Sequence, residues 1–534
     1  MKSVLTCIFS IMIATAASAA VRLPSVLGDG MIVQRDQPVR IWGWADAGEG
    51  FEIIWQGRHY PAEGGEDGKW SIELPAVSAG GPHTLTVGDT IIRDILAGDV
   101  FLCSGQSNME LPVRRVIDMF ADEVAGYENN EIREFIVPKV FDFTGPKDDF
   151  PSASWRPCTR ENVMEFSALA YFFAKALHAE TGVPVGIVNA SWGGTPVEAW
   201  ISEEGLKDFP HHINEKRIYE DEGYCKRIKE LEDENFRRWN RALQAGDAGL
   251  NEAIPWYATD YNDSEWKETD MFSTDWGNDG LNPVGGSHWL RKDFEMPAAC
   301  GGKEGVIRLG CIVDADQVYV NGHYVGSTGY QYPPRIYKIP ADVLKEGRNN
   351  VTVRIISNGG QPKFVPEKPY KVICNGYETS LEGFWKYHPG APMPPAPSMM
   401  FFCYKPICLY NAMIHPLKSL SFKGVIWYQG ESNVERRNEY ADLLTAMIDD
   451  WRGTFADSEL PFYIVELADF LHESDIEGRK AWAEMRQKQA EAASRNSNSV
   501  LIQNSDLGEW NDIHPLDKKT PGKRVADAVI KDMK

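Results

Sequence analysis

Beyond its first twenty residues the chain has no apolar run long enough to cross a bilayer, which takes about 20 consecutive apolar residues. A membrane-spanning helix is therefore excluded from the body of the sequence. Positive charge is scarce: 55 Lys and Arg stand against 77 Asp and Glu, a formal net charge of −22. A field of that sign repels nucleic acid and anionic membrane surfaces, although a local pocket can still take an acidic substrate. No Cys-x-x-Cys pair occurs, so the cysteines offer no zinc site. The Gly-x-Ser-x-Gly elbow is also missing around Ser107, because Met109 stands where the second glycine would be.

What is present begins with a secretory pattern. Lys2 gives a positive start, residues 4–14 are apolar, and Ala17-Ser18-Ala19 is a small-residue cleavage site. Residues 1–19 are expected to be a signal peptide, and the protein to be periplasmic or secreted. Eight cysteines follow it, at 103, 158, 225, 300, 311, 374, 403 and 408, in a compartment that permits disulfides. Their spacing does not settle a pairing. Hydrophobic and charged contents of 43% and 25% are those of an ordinary globular protein. Length allows several domains. The 17 Trp and 20 Tyr include rings able to stack on sugars.

The pattern along the chain changes three times. Residues 20–96 carry short alternating runs at 39–44, 51–55, 69–74 and 83–87, separated by Gly- and Asp-rich turns, and read as a small antiparallel β-sandwich. From residue 97 to 250, strands alternate with helices. A helix is expected over 165–179, with Phe166, Leu169, Ala170, Phe173 and Leu177 at helical spacing, ahead of a strand over 183–190. That strand–helix–strand order predicts a parallel sheet. A charged helix is expected over 213–245. Residues 251–374 return to short β-runs, with a hairpin turn at Asn321-Gly322. Alternation resumes over 375–534, with strands at 420–428, 461–467 and 499–503 and helices at 440–451, 480–493 and 525–533.

Four polar loops stand out, beginning at Ser104, Ser191, Gln429 and Asp506, each close behind an apolar strand of the alternating part. The carboxyl ends of parallel strands share one edge, where ligands bind, so these loops should converge. The first, Ser104-Gly105-Gln106-Ser107-Asn108, is a tight turn that presents Ser107 as a nucleophile. The last supplies His514 as the base and Asp512 to orient it, with Asp506 a further possibility for the acid. The backbone N–H groups of Ser107 and Gly194 and the side-chain amide of Gln429 are the expected oxyanion donors. Glu198 and Glu431 could bind sugar hydroxyls or brace the loops, and bracing is favoured. His415 is placed either at the cleft or in a structural role.

These loops resemble the motif blocks of the SGNH/GDSL hydrolase superfamily, and more narrowly its sialate O-acetylesterase branch. The matching stretches are Gly-Gln-Ser-Asn-Met at 105–109, Trp-Gly-Gly-Thr-Pro-Val-Glu-Ala-Trp at 192–200, Trp-Tyr-Gln-Gly-Glu-Ser-Asn at 427–433 and Asp-Ile-His-Pro at 512–515. The resemblance implies an SGNH-type α/β sheet flanked by helices, with Ser107 and His514 as nucleophile and base. It places Gly194 as the second-block oxyanion glycine and Gln429 where many of these enzymes have Asn. It departs from the superfamily at the acid: Asn511 stands three residues before His514, and Asp512 two before. Residues 316–326 also resemble the jelly-roll sugar-binding domain found beside glycoside hydrolases, so 251–374 reads as an inserted β-domain.

The activity expected is hydrolysis of O-acetyl groups on sialic acid, through an acetyl-enzyme and without metal or organic cofactor. The nearest rival is an acetylxylan or other polysaccharide acetylesterase. A rival of another class is a non-catalytic carbohydrate-binding protein. A sialic acid carboxylate would favour a cation in the cleft, for which Arg114, Arg115, Arg436 and Arg437 are candidates. The expected partner is an acetylated carbohydrate, with neither nucleic acid nor membrane, and the oligomeric state is left open.

Overall fold

A computed structural model describes residues 21–273 and 285–534. The expected signal peptide lies outside the described residues. The chain is mixed α/β. Its central sheet contains β1 (Thr90–Gly105), β2 (Asn129–Ile136), β3 (Val185–Ser191), β4 (Gly424–Tyr428), β5 (Phe462–Val465) and β6 (Ser499–Ile502). Across the sheet they run β6-β5-β4-β1-β3-β2, all parallel, with Trp155–Cys158 pairing antiparallel at the β2 edge. The strands are near-continuous apolar runs because both faces are covered: Phe101, Leu102, Val188, Ile426 and Ile464 are fully buried.

Helices α1 (Ala168–Thr181), α2 (Pro210–Tyr219), α3 (Glu222–Gly246), α4 (Tyr440–Thr454), α5 (Ile476–Arg495) and α6 (Lys519–Asp532) accompany the sheet. Helix α1 packs on α6, and α4 on α5. The start of α1 is set by Ser167, whose hydroxyl accepts the Ala170 N–H, and its end by Gly182 at φ +65°. The charged helix expected over 213–245 is in fact two. Helix α2 begins at Pro210, and Asp221 caps α3 by accepting the Tyr224 N–H, so the break falls at residues 220–221.

From β1 the chain goes first to β2 and β3 on one side, then to β4 on the other. The order reverses at β1, which makes a crevice at its carboxyl end. Register sharpens this placement: Gly105 pairs with Ser191 on one flank and with Tyr428 on the other. Three strands therefore end at one level, and three of the polar loops start there.

Strand β1 is longer than its hydrolase-side pattern suggests. Its first half pairs with Gly80–Val87 and with Ile32–Gln34, and only its second half joins the parallel sheet. The N-terminal β-region is thereby hydrogen-bonded into the same sheet, and Ile41, Trp55 and Leu85 share one core with Phe101 and Phe173. The second β-region has a core of its own, including Leu290, Ile307, Val318, Val353 and Val372, between a six-stranded and a four-stranded antiparallel sheet. Its hairpin at Asn321-Gly322 turns with both residues at positive φ, +48° and +80°. Cys103, Cys158, Cys225, Cys300, Cys311, Cys374, Cys403 and Cys408 are all free thiols in this structure. Among the described residues no helix is long and apolar enough to cross a membrane.

Candidate active site

Ser107 stands two residues beyond the end of β1, at the start of the turn Ser107–Glu110. Gly105 stands at φ +133°, and a Cβ there would sit 2.1 Å from the Tyr428 carbonyl oxygen, so only glycine lets the chain leave the sheet this close to β4. The turn delivers the Ser107 hydroxyl to His514: Oγ lies 2.8 Å from Nε2. The two residues are 407 positions apart and meet because the loops after β1 and β6 share the sheet edge.

His514 is 7% exposed. Burial, reinforced by the nearby charges of Lys518 and Arg115, depresses its pKa to about 3. The imidazole is therefore neutral at ordinary pH, the form that can accept the serine proton at Nε2. Its Nδ1 is 3.8 Å from Asp512 Oδ1 and has no hydrogen-bond acceptor among the described residues. Asp512 Oδ1 instead accepts the backbone N–H of His514 at 2.8 Å, while Oδ2 lies 3.3 Å from Lys368 Nζ. Burial raises the Asp512 pKa, against the opposing charge of Lys368. Asp506 is elsewhere: its carboxylate forks onto Arg524 with two 2.6 Å hydrogen bonds. Asn511 donates to the Pro366 carbonyl at 2.6 Å. Of the candidate acids, only Asp512 is beside the histidine.

Gly194 lies at φ +79°, and a Cβ on it would fall 2.0 Å from the Tyr404 hydroxyl. Neither its N–H nor that of Ser107 is taken up by an acceptor among the described residues, whereas the Gly193 N–H is held by Glu110. Ser107 and Gly194 both border the same cavity. The expectation for Gln429 is not met. Its side chain is fully buried, and Nε2 lies 2.7 Å from Asn433 Oδ1, 3.1 Å from Gln106 Oε1 and 3.2 Å from the Thr195 carbonyl. Its Oε1 accepts from Tyr440. An amide with two protons already committed to three acceptors has none for an oxyanion. Gln429 ties the first three loops together instead.

Glu198 is 1% exposed and braces: it accepts from Asn433 Nδ2 at 2.9 Å and pairs with Arg436 at 2.5 Å. Glu431 borders the cavity and accepts from Asn108 Nδ2 at 2.5 Å. Asn108 also donates to the Ile513 carbonyl and accepts from the buried Lys518. Burial lowers the Lys518 pKa to about 8 and raises that of Glu431. This Glu431–Asn108–Lys518 chain, absent from the sequence reading, fastens the first, third and fourth loops. His415 is structural: its Nδ1 is 2.8 Å from the Lys147 carbonyl and it does not line the cavity.

The Ser107–His514 pair opens into a cavity of about 660 Å³. Arg114, Arg115 and Lys139 border it, together with Trp192, Tyr330, Tyr332, Phe401 and Tyr404. Tyr330 and Tyr332 come from the second β-region, and the Tyr332 ring meets the His514 ring edge-on at 4.8 Å. Nothing in the local sequence of residues 330–332 marks them for this site. The cations differ in availability. Arg114 pairs with Glu165, Arg436 with Glu198 and Arg437 with Glu484. Arg115 donates to the Tyr332 carbonyl at 3.0 Å, and its buried Nε has no acceptor among the described residues.

Residues 401–531 match the family model for carbohydrate esterases, sialic acid-specific acetylesterase. The sialate O-acetylesterase of Rattus norvegicus is 22% identical over 96% of this chain and 73% of its own length. That of Homo sapiens is 27% identical over 36% of this chain and 41% of its own length. A carbohydrate acetylesterase from Xanthomonas citri superposes with a TM-score of 0.55 at 25% identity, covering 95% of this chain and 74% of that one. The chain is a carboxylic ester hydrolase. Its resemblance to the sialate O-acetylesterases runs through both β-regions as well as the sheet, so this hydrolase shares more with them than a catalytic loop.

Proposed function

We propose that this hydrolase removes O-acetyl groups from sialic acids through an acetyl-enzyme. The observation that carries the reading is the 2.8 Å contact of Ser107 Oγ with a neutral His514 at the floor of a cavity lined by cations and aromatic rings. Ser107 Oγ attacks the acetyl carbonyl as its proton passes to His514 Nε2. The tetrahedral oxyanion is held by the N–H groups of Ser107 and Gly194. As the intermediate collapses, His514 returns the proton to the sugar oxygen, and acetyl remains on Ser107. Water then gives a proton to His514 and its oxygen to the acetyl carbon, releasing acetate and restoring the serine. Asp512, the carboxylate beside Nδ1, favours the imidazolium of each intermediate.

Arg115 supports the acidic sugar over a neutral one. Arg115 borders the cavity and has no carboxylate partner among the described residues, which fits an acidic sugar better than a neutral xylan backbone. The β-rich residues 20–96 and 251–374 are taken as a sandwich and an inserted jelly-roll domain. Residues 97–250 and 375–534 are the two halves of the hydrolase domain, and the protein is periplasmic or secreted. The test is acetate release by the purified protein on O-acetylated sialic acid and on acetylated xylan, side by side. Release from the sialic acid alone is expected. Release from xylan alone would keep the chemistry and overturn the substrate.

A further inference from the structure

We propose that His211, His212 and Glu439 form a binding site for one divalent transition-metal ion, for which zinc is the best fit. None of the three borders the catalytic cavity. The two imidazoles belong to the first turn of α2, and Glu439 ends the segment Glu431–Glu439 that leads out of the third loop. All three donor atoms lie within 4.8 Å of one another. His211 Nε2 is 3.1 Å from one carboxylate oxygen of Glu439, and His212 Nε2 is 3.4 Å from the other. Donors around tetrahedral zinc, with bonds of about 2.0–2.1 Å, are spaced by about 3.3 Å. Each imidazole already stands at about that spacing from one Glu439 oxygen, and a small side-chain shift gathers the set on one ion.

His212 supplies the second observation. It is 2% exposed, and neither of its ring nitrogens has a hydrogen-bond partner among the described residues. The Glu439 oxygen is near enough to Nε2 for an ion pair but is not placed for a hydrogen bond. Leaving a buried imidazole without a partner is unfavourable, and an ion at Nε2 would take up one of the two orphaned ring nitrogens, with the ring proton on Nδ1. The His211 side chain is 61% exposed, so its ring is free to swing the short distance that closes the site, with water completing the shell. Two imidazoles and one carboxylate are a donor set suited to zinc rather than to calcium or magnesium, which prefer oxygen. Arg436, whose charge is felt at His212, is neutralised by Glu198. An ion here would clamp α2 to the chain leaving the Gln429–Asn433 loop, and so stiffen the active-site scaffold from outside.

The experiment titrates zinc chloride into chelator-treated full-length protein in competition with a chromogenic zinc chelator. One zinc per chain at micromolar or tighter affinity is expected, with a rise in thermal midpoint on zinc addition. His212→Ala and Glu439→Gln should each weaken that binding at least about tenfold, with esterase activity on a chromogenic acetyl ester confirming that each variant is folded. Glu439→Gln is nearly isosteric and carries the test if His212→Ala does not fold. Binding by both variants at wild-type affinity, or no zinc bound by the wild type at micromolar concentration, would overturn the proposal.

Discussion

At the scale of single residues the site rests on how burial sets protonation. The His514 pKa of about 3 lies below the ordinary imidazole value of about 6.5. Between those values the unfolded chain binds a proton at this position and the folded one does not, so stability falls as pH drops through that window. The same depression keeps the base active in acid. The acid limb of a kcat/KM profile should therefore lie below pH 6, and a limb at the ordinary imidazole value or above would show that His514 is less shielded than its burial implies. Arg115→Met should raise KM for O-acetylated sialic acid while leaving kcat/KM for a neutral chromogenic acetyl ester within a few-fold. An equal loss on both substrates would contradict a carboxylate-binding role. The meeting of Ser107 with His514 is legible from residue type and loop position. Gln429 was misassigned for a physical reason: an amide at a strand end can face a ligand or the scaffold. Only the proximity of Gln106, Thr195 and Asn433, which sequence spacing does not reveal, decides between them.

At the scale of elements, the convergence of the four loops was readable because parallel strands must end on one edge. What fastens the loops was not, since it depends on side chains up to 410 residues apart. Gln429 gives a direct test. As a scaffold hub its replacement by Ala should lower the thermal midpoint together with kcat. An oxyanion donor would lose about 10²–10³ in kcat at unchanged stability. Asn108→Ala should strip a hydrogen-bond partner from both Glu431 and Lys518 and cost about 3 kcal/mol or more in a denaturant titration. A change under about 0.5 kcal/mol would show that the network is not a structural tie. The helix break at residues 220–221 escaped the periodicity because both halves are charged, and only the cap at Asp221 marks the boundary.

At the scale of the whole molecule, the two β-regions are not bystanders. The first is hydrogen-bonded into β1, whose far end leads into the turn that carries the serine. The second reaches over the sheet edge to place Tyr330 and Tyr332 in the cavity wall and Lys368 against Asp512. Composition marked both regions as β-rich, but their contribution to the site lies in contacts between distant segments that no local pattern encodes. The central claim remains that Ser107, activated by His514, is the nucleophile. It is tested most directly by comparing Ser107→Ala with the wild type on a chromogenic acetyl ester, with thermal melting as the control for folding. The account predicts a fall in kcat of at least about 10⁴-fold at an unchanged thermal midpoint. Activity within about tenfold of wild type from the folded variant would contradict it.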